Sequence, residues 1–161
     1  MATIVVEDGT GKTNSNSYVT EAEVTTYATD RGLTLTASED VLIIKAMDYL
    51  ETLGYIGDRQ TEEQALQWPR EGVYIDNFYI EPTTIPQELK NAQMSLCMSI
   101  DAGVDPMATI DRATKKEKVD VLEIEYMDNA ASRAIVTSVN RILAKLLQDG
   151  SSGTSFNVSR G

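Results

Sequence analysis

The chain has 161 residues, 42% of them hydrophobic, with 25 acidic against 14 basic side chains and a net charge of −11. That suffices for one domain with its own core, and no run approaches the roughly 18 apolar residues of a membrane span. The absence of histidine removes the commonest general base and zinc ligand, and the acidic balance opposes a nucleic-acid backbone, which proteins grip with Lys and Arg.

Residues Ile4 to Val6 can form a short strand, followed by a polar loop from Glu7 to Ser17. The start of the chain lacks the basic residues and long apolar stretch of a signal peptide, so synthesis in the cytoplasm is expected. Thr20 and Glu23 have capping-box spacing and open a first helix over Glu21 to Arg31, with Gly32 as its stop. Ser38, followed by Glu39 and Asp40, opens a second. Its apolar positions Leu42, Ala46, Tyr49, Leu50 and Leu53 recur at helical spacing, and Gly54 and Gly57 follow it. A short third helix is expected over Thr61 to Gln67, stopped by Pro69, which restrains Trp68. Tyr74 to Ile80 reads as an aromatic, irregular loop over the core.

Pro86 suits the first position of a fourth helix. That helix runs to about Ala102 before Gly103, with Leu89, Ala92, Leu96 and Ile100 inward. Met94 and Met98, with Cys97 between them, make it apolar on more than one side, as a buried or partner-facing helix would be. From Ala113 to Tyr126 the period shortens. Val119 and Val121, then Leu122, Ile124 and Tyr126, read as a half-buried strand with a bulge, needing Ile4–Val6 or another subunit as partner. A last helix spans about Ser132 to Gln148, with Ile135, Val139, Ile142, Leu143, Leu146 and Leu147 as its apolar stripe. The expected fold is mainly α. It is a bundle of four to five helices with a small β-hairpin or strand pair, occupying residues 1–150, and a flexible C-terminal tail, 151–161.

No motif carries chemistry, and no catalytic, metal or cofactor site is expected. Gly9-Thr10-Gly11-Lys12-Thr13 resembles the end of a phosphate-binding loop, but Val6 stands where the pattern needs a further glycine. Asp101, Asp105 and Asp111 lack the spacing of a calcium loop. Asp120, Glu123 and Glu125 fit the exposed face of a strand. Cys97 cannot form an internal disulfide and reads as a small buried hydrophobe. Arg112, Lys115, Lys116 and Lys118 form the main basic cluster, either solvated or in contact with another subunit. Trp68 reads as a core anchor directed by Pro69, with Arg70 in reach of Glu62, Glu63 or Glu71. Trp68 and Arg70 would instead be a stacking platform if bases were bound.

One succession is more specific. Asn16-Ser17-Tyr18-Val19, Tyr27, Ala46-Met47-Asp48-Tyr49-Leu50, Gln64-Ala65-Leu66-Gln67-Trp68-Pro69-Arg70 closed by Gly72, and Ile85-Pro86 follow one another along the chain. From about Ser17 to Leu147 this resembles a family of small tailed-phage proteins that carries the label DnaT-like single-stranded-DNA-binding proteins, whose members read as head-tail connector subunits. The resemblance implies a structural virion protein at the neck, in a homo-oligomeric ring, a dodecamer, under the portal. Such a ring extends the DNA channel and presents a platform to the next tail or neck protein. DNA would pass without specific binding, between acidic walls. Family members often end in Arg-Gly, as at Arg160-Gly161, and the resemblance implies that Phe156, Val158 and Arg160 dock on the portal or an adjacent subunit. The label itself implies the alternative, a single-stranded-DNA-binding replication protein.

Overall fold

The computed structural model describes residues 1–108 and 130–148, and the side chains of all of these except 130–136. In chain order the elements are α1 (Glu21–Thr29), α2 (Glu39–Leu50), β1 (Asp58–Arg59), β2 (Arg70–Glu71), β3 (Val73–Ile75), β4 (Phe78–Ile80), α3 (Gln87–Asp101) and α4 (Ala130–Leu143). α3 packs against each of the other three helices.

Local chemistry sets the helix ends. Thr20 and Glu23 form the expected capping box, the Glu23 amide donating to Thr20 Oγ1 at 3.1 Å and the Thr20 amide to Glu23 Oε2 at 2.7 Å. Beyond α1, the Gly32 amide donates to Thr29 and that of Leu33 to Ala28, a Schellman closure with Gly32 at φ +67°. Ser38 precedes α2 but makes no side-chain cap bond. Asp101, at the end of α3, holds that entry instead, accepting from the Thr36 and Ala37 amides and from Thr36 Oγ1.

The expectation of a mainly α, four- to five-helix bundle is overturned. The described residues hold four helices and two separate two-stranded antiparallel sheets, a mixed α/β fold. The difference lies between α2 and α3. Thr61 to Gln67 is not helical, because the Gln64 side chain substitutes for helical backbone bonds. Its Oε1 accepts from the Thr61 amide, and its Nε2 donates to the carbonyls of Leu66 and Pro69. Tyr74 to Ile80, expected as an irregular loop, is a hairpin whose strands pair Val73 with Ile80, Tyr74 with Tyr79 and Ile75 with Phe78. Ile4–Val6 is not a strand either. It contributes a single parallel bridge, Val6 to Ser17. α4 ends at Leu143, short of the expected Gln148, and the following turn lays Leu147 against Tyr55 in an antiparallel bridge. The expected strand between Ala113 and Tyr126 and the tail at 151–161 lie outside the described residues.

The core is aliphatic with a few large rings. Leu42, Ile43, Ala46 and Leu50 of α2, Leu89, Ala92, Leu96 and Cys97 of α3, and Val139 and Leu143 of α4 enclose Tyr18, Tyr55 and Trp68. Some polar groups inside it are paired, whereas the indole Nε1 of Trp68 has no partner among the described residues. Gln93 accepts the Tyr18 amide at 3.0 Å and donates to Ser17 Oγ at 3.0 Å, fixing the segment before α1 to the middle of α3.

Candidate interaction surface

The Trp68-Pro69-Arg70 block is built into the interior. Trp68 has no exposed surface, joins Pro69 through a cis peptide bond, and meets Tyr55 edge-on with ring centres 6.1 Å apart. Its amide donates to the Tyr18 hydroxyl at 3.2 Å, and that hydroxyl donates to Glu51 Oε1 at 2.8 Å. Glu51 Oε2 takes the Gln67 amide at 2.9 Å. Burial pushes Tyr18 well above the usual phenol range, with the neighbouring Glu51 adding to it, and burial also raises Glu51.

Arg70 makes none of the expected pairs with Glu62, Glu63 or Glu71. Its guanidinium donates to the carbonyls of Ile56 at 2.8 Å, Gly57 at 2.5 Å, Tyr55 at 3.3 Å and Gln67 at 3.2 Å, and to Gln67 Oε1 at 3.1 Å. A planar fork of donors suits such a task better than a lysine ammonium would. Burial lowers its pKa from the ordinary arginine value. Trp68 and Arg70 are therefore turned inward and do not form a stacking platform.

What this web supports is exposed. β2 passes through Gly72, at φ +70°, directly into β3. The hairpin turns at Asp76 and Asn77, whose φ values of +51° and +68° are those of a type I′ turn. Val73 points into the core, whereas Tyr74 is 61% exposed, Tyr79 47% and Phe78 75%. Tyr74 and Tyr79 face each other across the strands, ring centres 5.4 Å apart. Lys145, beyond α4, donates to Asp76 Oδ2 at 2.5 Å and ties the turn to the body. The sequence reading missed this surface. Its signal was the near-symmetric Val73-Tyr74-Ile75 and Phe78-Tyr79-Ile80 about two turn-forming residues.

The chain belongs to the family described as "Putative DnaT-like ssDNA binding protein". That family matches residues 2–161. No curated protein and no solved structure matches the chain.

The cations that a DNA-binding member would need are largely occupied among the described residues. Lys12 donates to the Val6 carbonyl at 2.7 Å and pairs with Asp8, Arg59 bonds the Gln64 carbonyl, and Arg31 lies 3.3 Å from the centre of the Tyr27 ring. The phosphate-loop-like segment is likewise filled from within. Glu7, almost wholly buried, accepts the amides of Gly9 at 2.9 Å, Gly11 at 3.0 Å and Lys12 at 2.8 Å, and the Ser15 hydroxyl at 3.0 Å. A nest of amides that suits an anion here holds the chain's own carboxylate. Cys97 is buried, and burial raises its thiol to about 12. The described residues contain no group of three or more potential metal ligands, and no helix among them is long and apolar enough to cross a membrane. Arg112, Lys115, Lys116 and Lys118, and Phe156, Val158 and Arg160, lie outside the described residues.

Proposed function

We propose that this chain is a non-catalytic structural subunit of a tailed-phage virion. It would be a head-tail connector that forms a ring under the portal, extends the DNA channel and docks the tail, with the β3–β4 hairpin as a protein contact. The observation that carries the contact is the exposure of Tyr74, Phe78 and Tyr79 on a short hairpin whose base is fixed by Arg70 and the buried Trp68. Tyrosine and phenylalanine are enriched at protein interfaces, where they bury much area at little entropic cost. The phage setting comes from the sequence resemblance. The net charge of −11 fits a channel wall past which DNA slides without adhering. The partners in this reading are the portal, a tail or neck protein and further copies of the chain, in the neck of a particle assembled in the host cytoplasm.

The test is electron cryo-microscopy of the virion. A ring of this chain between portal and tail, with the hairpin at a protein boundary, is the expected result. A neck built entirely from other proteins would reject the connector reading.

A second reading, single-stranded-DNA binding, is favoured by the description of the family. The same three aromatics could then stack on bases, each worth about 1–3 kcal/mol. It predicts oligonucleotide affinity that falls steeply with salt and falls again when Tyr74, Phe78 and Tyr79 are all changed to Ser.

A further inference from the structure

A second feature lies at the far end of α3. Ile100, Val104, Pro106 and Met107, with Asp48 and Lys45 of α2 and Asp105, line a cleft of about 330 Å³. Met107 is 51% exposed, although it sits beside other apolar side chains. The Met107 amide binds Asp105 Oδ1 at 2.9 Å, which fixes the loop but leaves Oδ2 without a bond among the described residues. Two carboxylates against one ammonium make the mouth of the cleft net negative.

One segment of the chain has the matching chemistry. From Ser151 to Gly161, Phe156 and Val158 are the large apolar residues, and Arg160 is the one charge. They alternate, so an extended backbone places all three on one side. Reach also permits the match. The Gln148 amide bonds the Gly54 carbonyl at 3.0 Å, and Asp48 precedes Gly54 by six residues, at most about 20 Å of chain. The eight residues from Gln148 to Phe156 span up to about 28 Å. A short tether gives an effective concentration of order millimolar, far above that of a second molecule in dilute solution.

We infer that the α2–α3 cleft is a receptor for the chain's own C-terminal segment, with Phe156 and Val158 against Ile100, Val104 and Met107, and Arg160 between Asp48 and Asp105. Docked in cis, the segment is withheld from partners until a stronger site competes for it. This holds whether or not the connector reading does.

The test uses the full chain with Ser159→Cys carrying a nitroxide. Position 159 alternates away from the docking face, and Cys97 is too deeply buried, its thiol too weakly acidic, to take the label. In isotope-labelled protein, the amide signals of Val104, Asp105 and Met107 should be lost through paramagnetic relaxation. They should return when Phe156→Ala and Arg160→Glu are added. In a mixture of spin-labelled unenriched protein with enriched unlabelled protein they should persist. Loss in that mixture would make a second copy the occupant and overturn docking in cis. Signals unaffected in both samples would overturn the assignment of this cleft altogether.

Discussion

Two regions adjoining in sequence use the same residue types for opposite ends. In Gln64–Arg70 the aromatic ring is buried and every donor of the arginine goes to an internal acceptor. In Val73–Ile80, beginning three residues later, three aromatic rings stand in solvent. Burial on one side makes exposure on the other useful. A two-stranded hairpin is marginal by itself, and this one is held in place because β2 leaves Arg70 and runs through a single glycine into β3. The buried block is a mount, and the hairpin is what it presents.

That contrast is most sharply broken at Arg70. Arg70→Ala leaves the carbonyls of Tyr55, Ile56, Gly57 and Gln67 without a donor, and unsatisfied buried acceptors cost about 1–3 kcal/mol each where water cannot replace the donor. A loss of about 3 kcal/mol or more in a urea unfolding curve is expected, enough to unfold a chain of ordinary stability. Arg70→Lys keeps the charge but not the fork and should lie between the variant and the parent. A neutral result for Arg70→Ala would mean that the guanidinium does not organise the mount.

Trp68 comes next. Its indole Nε1 has no hydrogen-bond partner among the described residues, so the ring contributes by volume and by the contact with Tyr55. Trp68→Ala should cost about 3–5 kcal/mol through the cavity it leaves. Trp68→Phe gives up less volume and removes an orphaned donor, so a cost of about 1–2 kcal/mol is expected. If Phe proved as damaging as Ala, the indole nitrogen would have a partner after all.

Much of the helical part was legible in the sequence because its signals are local. The Thr20–Glu23 box, the stop at Gly32, the inward stripe of α2 and that of α3 depend on residues within a turn or two of one another. The stretch between α2 and α3 was misread because its structure depends on distant or unusual partners. Gln64 reads as a good helix former until its side chain is seen bonding Thr61, Leu66 and Pro69. Asp76-Asn77 is a weaker hairpin signal than Asn-Gly, so alternating aromatics passed for a loop. Arg70 has three acids within reach in sequence, and nothing local shows that it would choose carbonyls thirteen to fifteen residues upstream. Trp68 as an inward ring was readable, whereas the exposed surface beside it was not.

A smaller effect tests the α2–α3 side. Hydrogen bonds from Ala37 and Thr36 hold Asp101 below the ordinary carboxylate range, and hydrogen bonds likewise lower Asp40. A carboxylate whose folded pKa is depressed adds stability above its unfolded value of about 4, and that stability is lost as pH falls through the folded value. Asp101→Asn should therefore lower the unfolding midpoint at pH 7 modestly. The gap to the parent should close as the pH drops below about 4. A gap constant across that window would locate the effect in packing instead of charge.

The smallest effect on stability is expected at the hairpin, and it decides the comparison. Tyr74→Ser with Tyr79→Ser removes two half-exposed residues whose rings pair with each other. Cross-strand pairs of this kind contribute about 0.2–1 kcal/mol, so the unfolding midpoint should move by no more than that. Adding Phe78→Ser should change little further, because 75% of that residue is exposed already. A triple variant that folds normally yet fails to join its partner would show that these rings exist for binding. A triple variant that unfolds with Arg70→Ala severity would mean that the rings are part of the mount, and the division between the two regions would be lost.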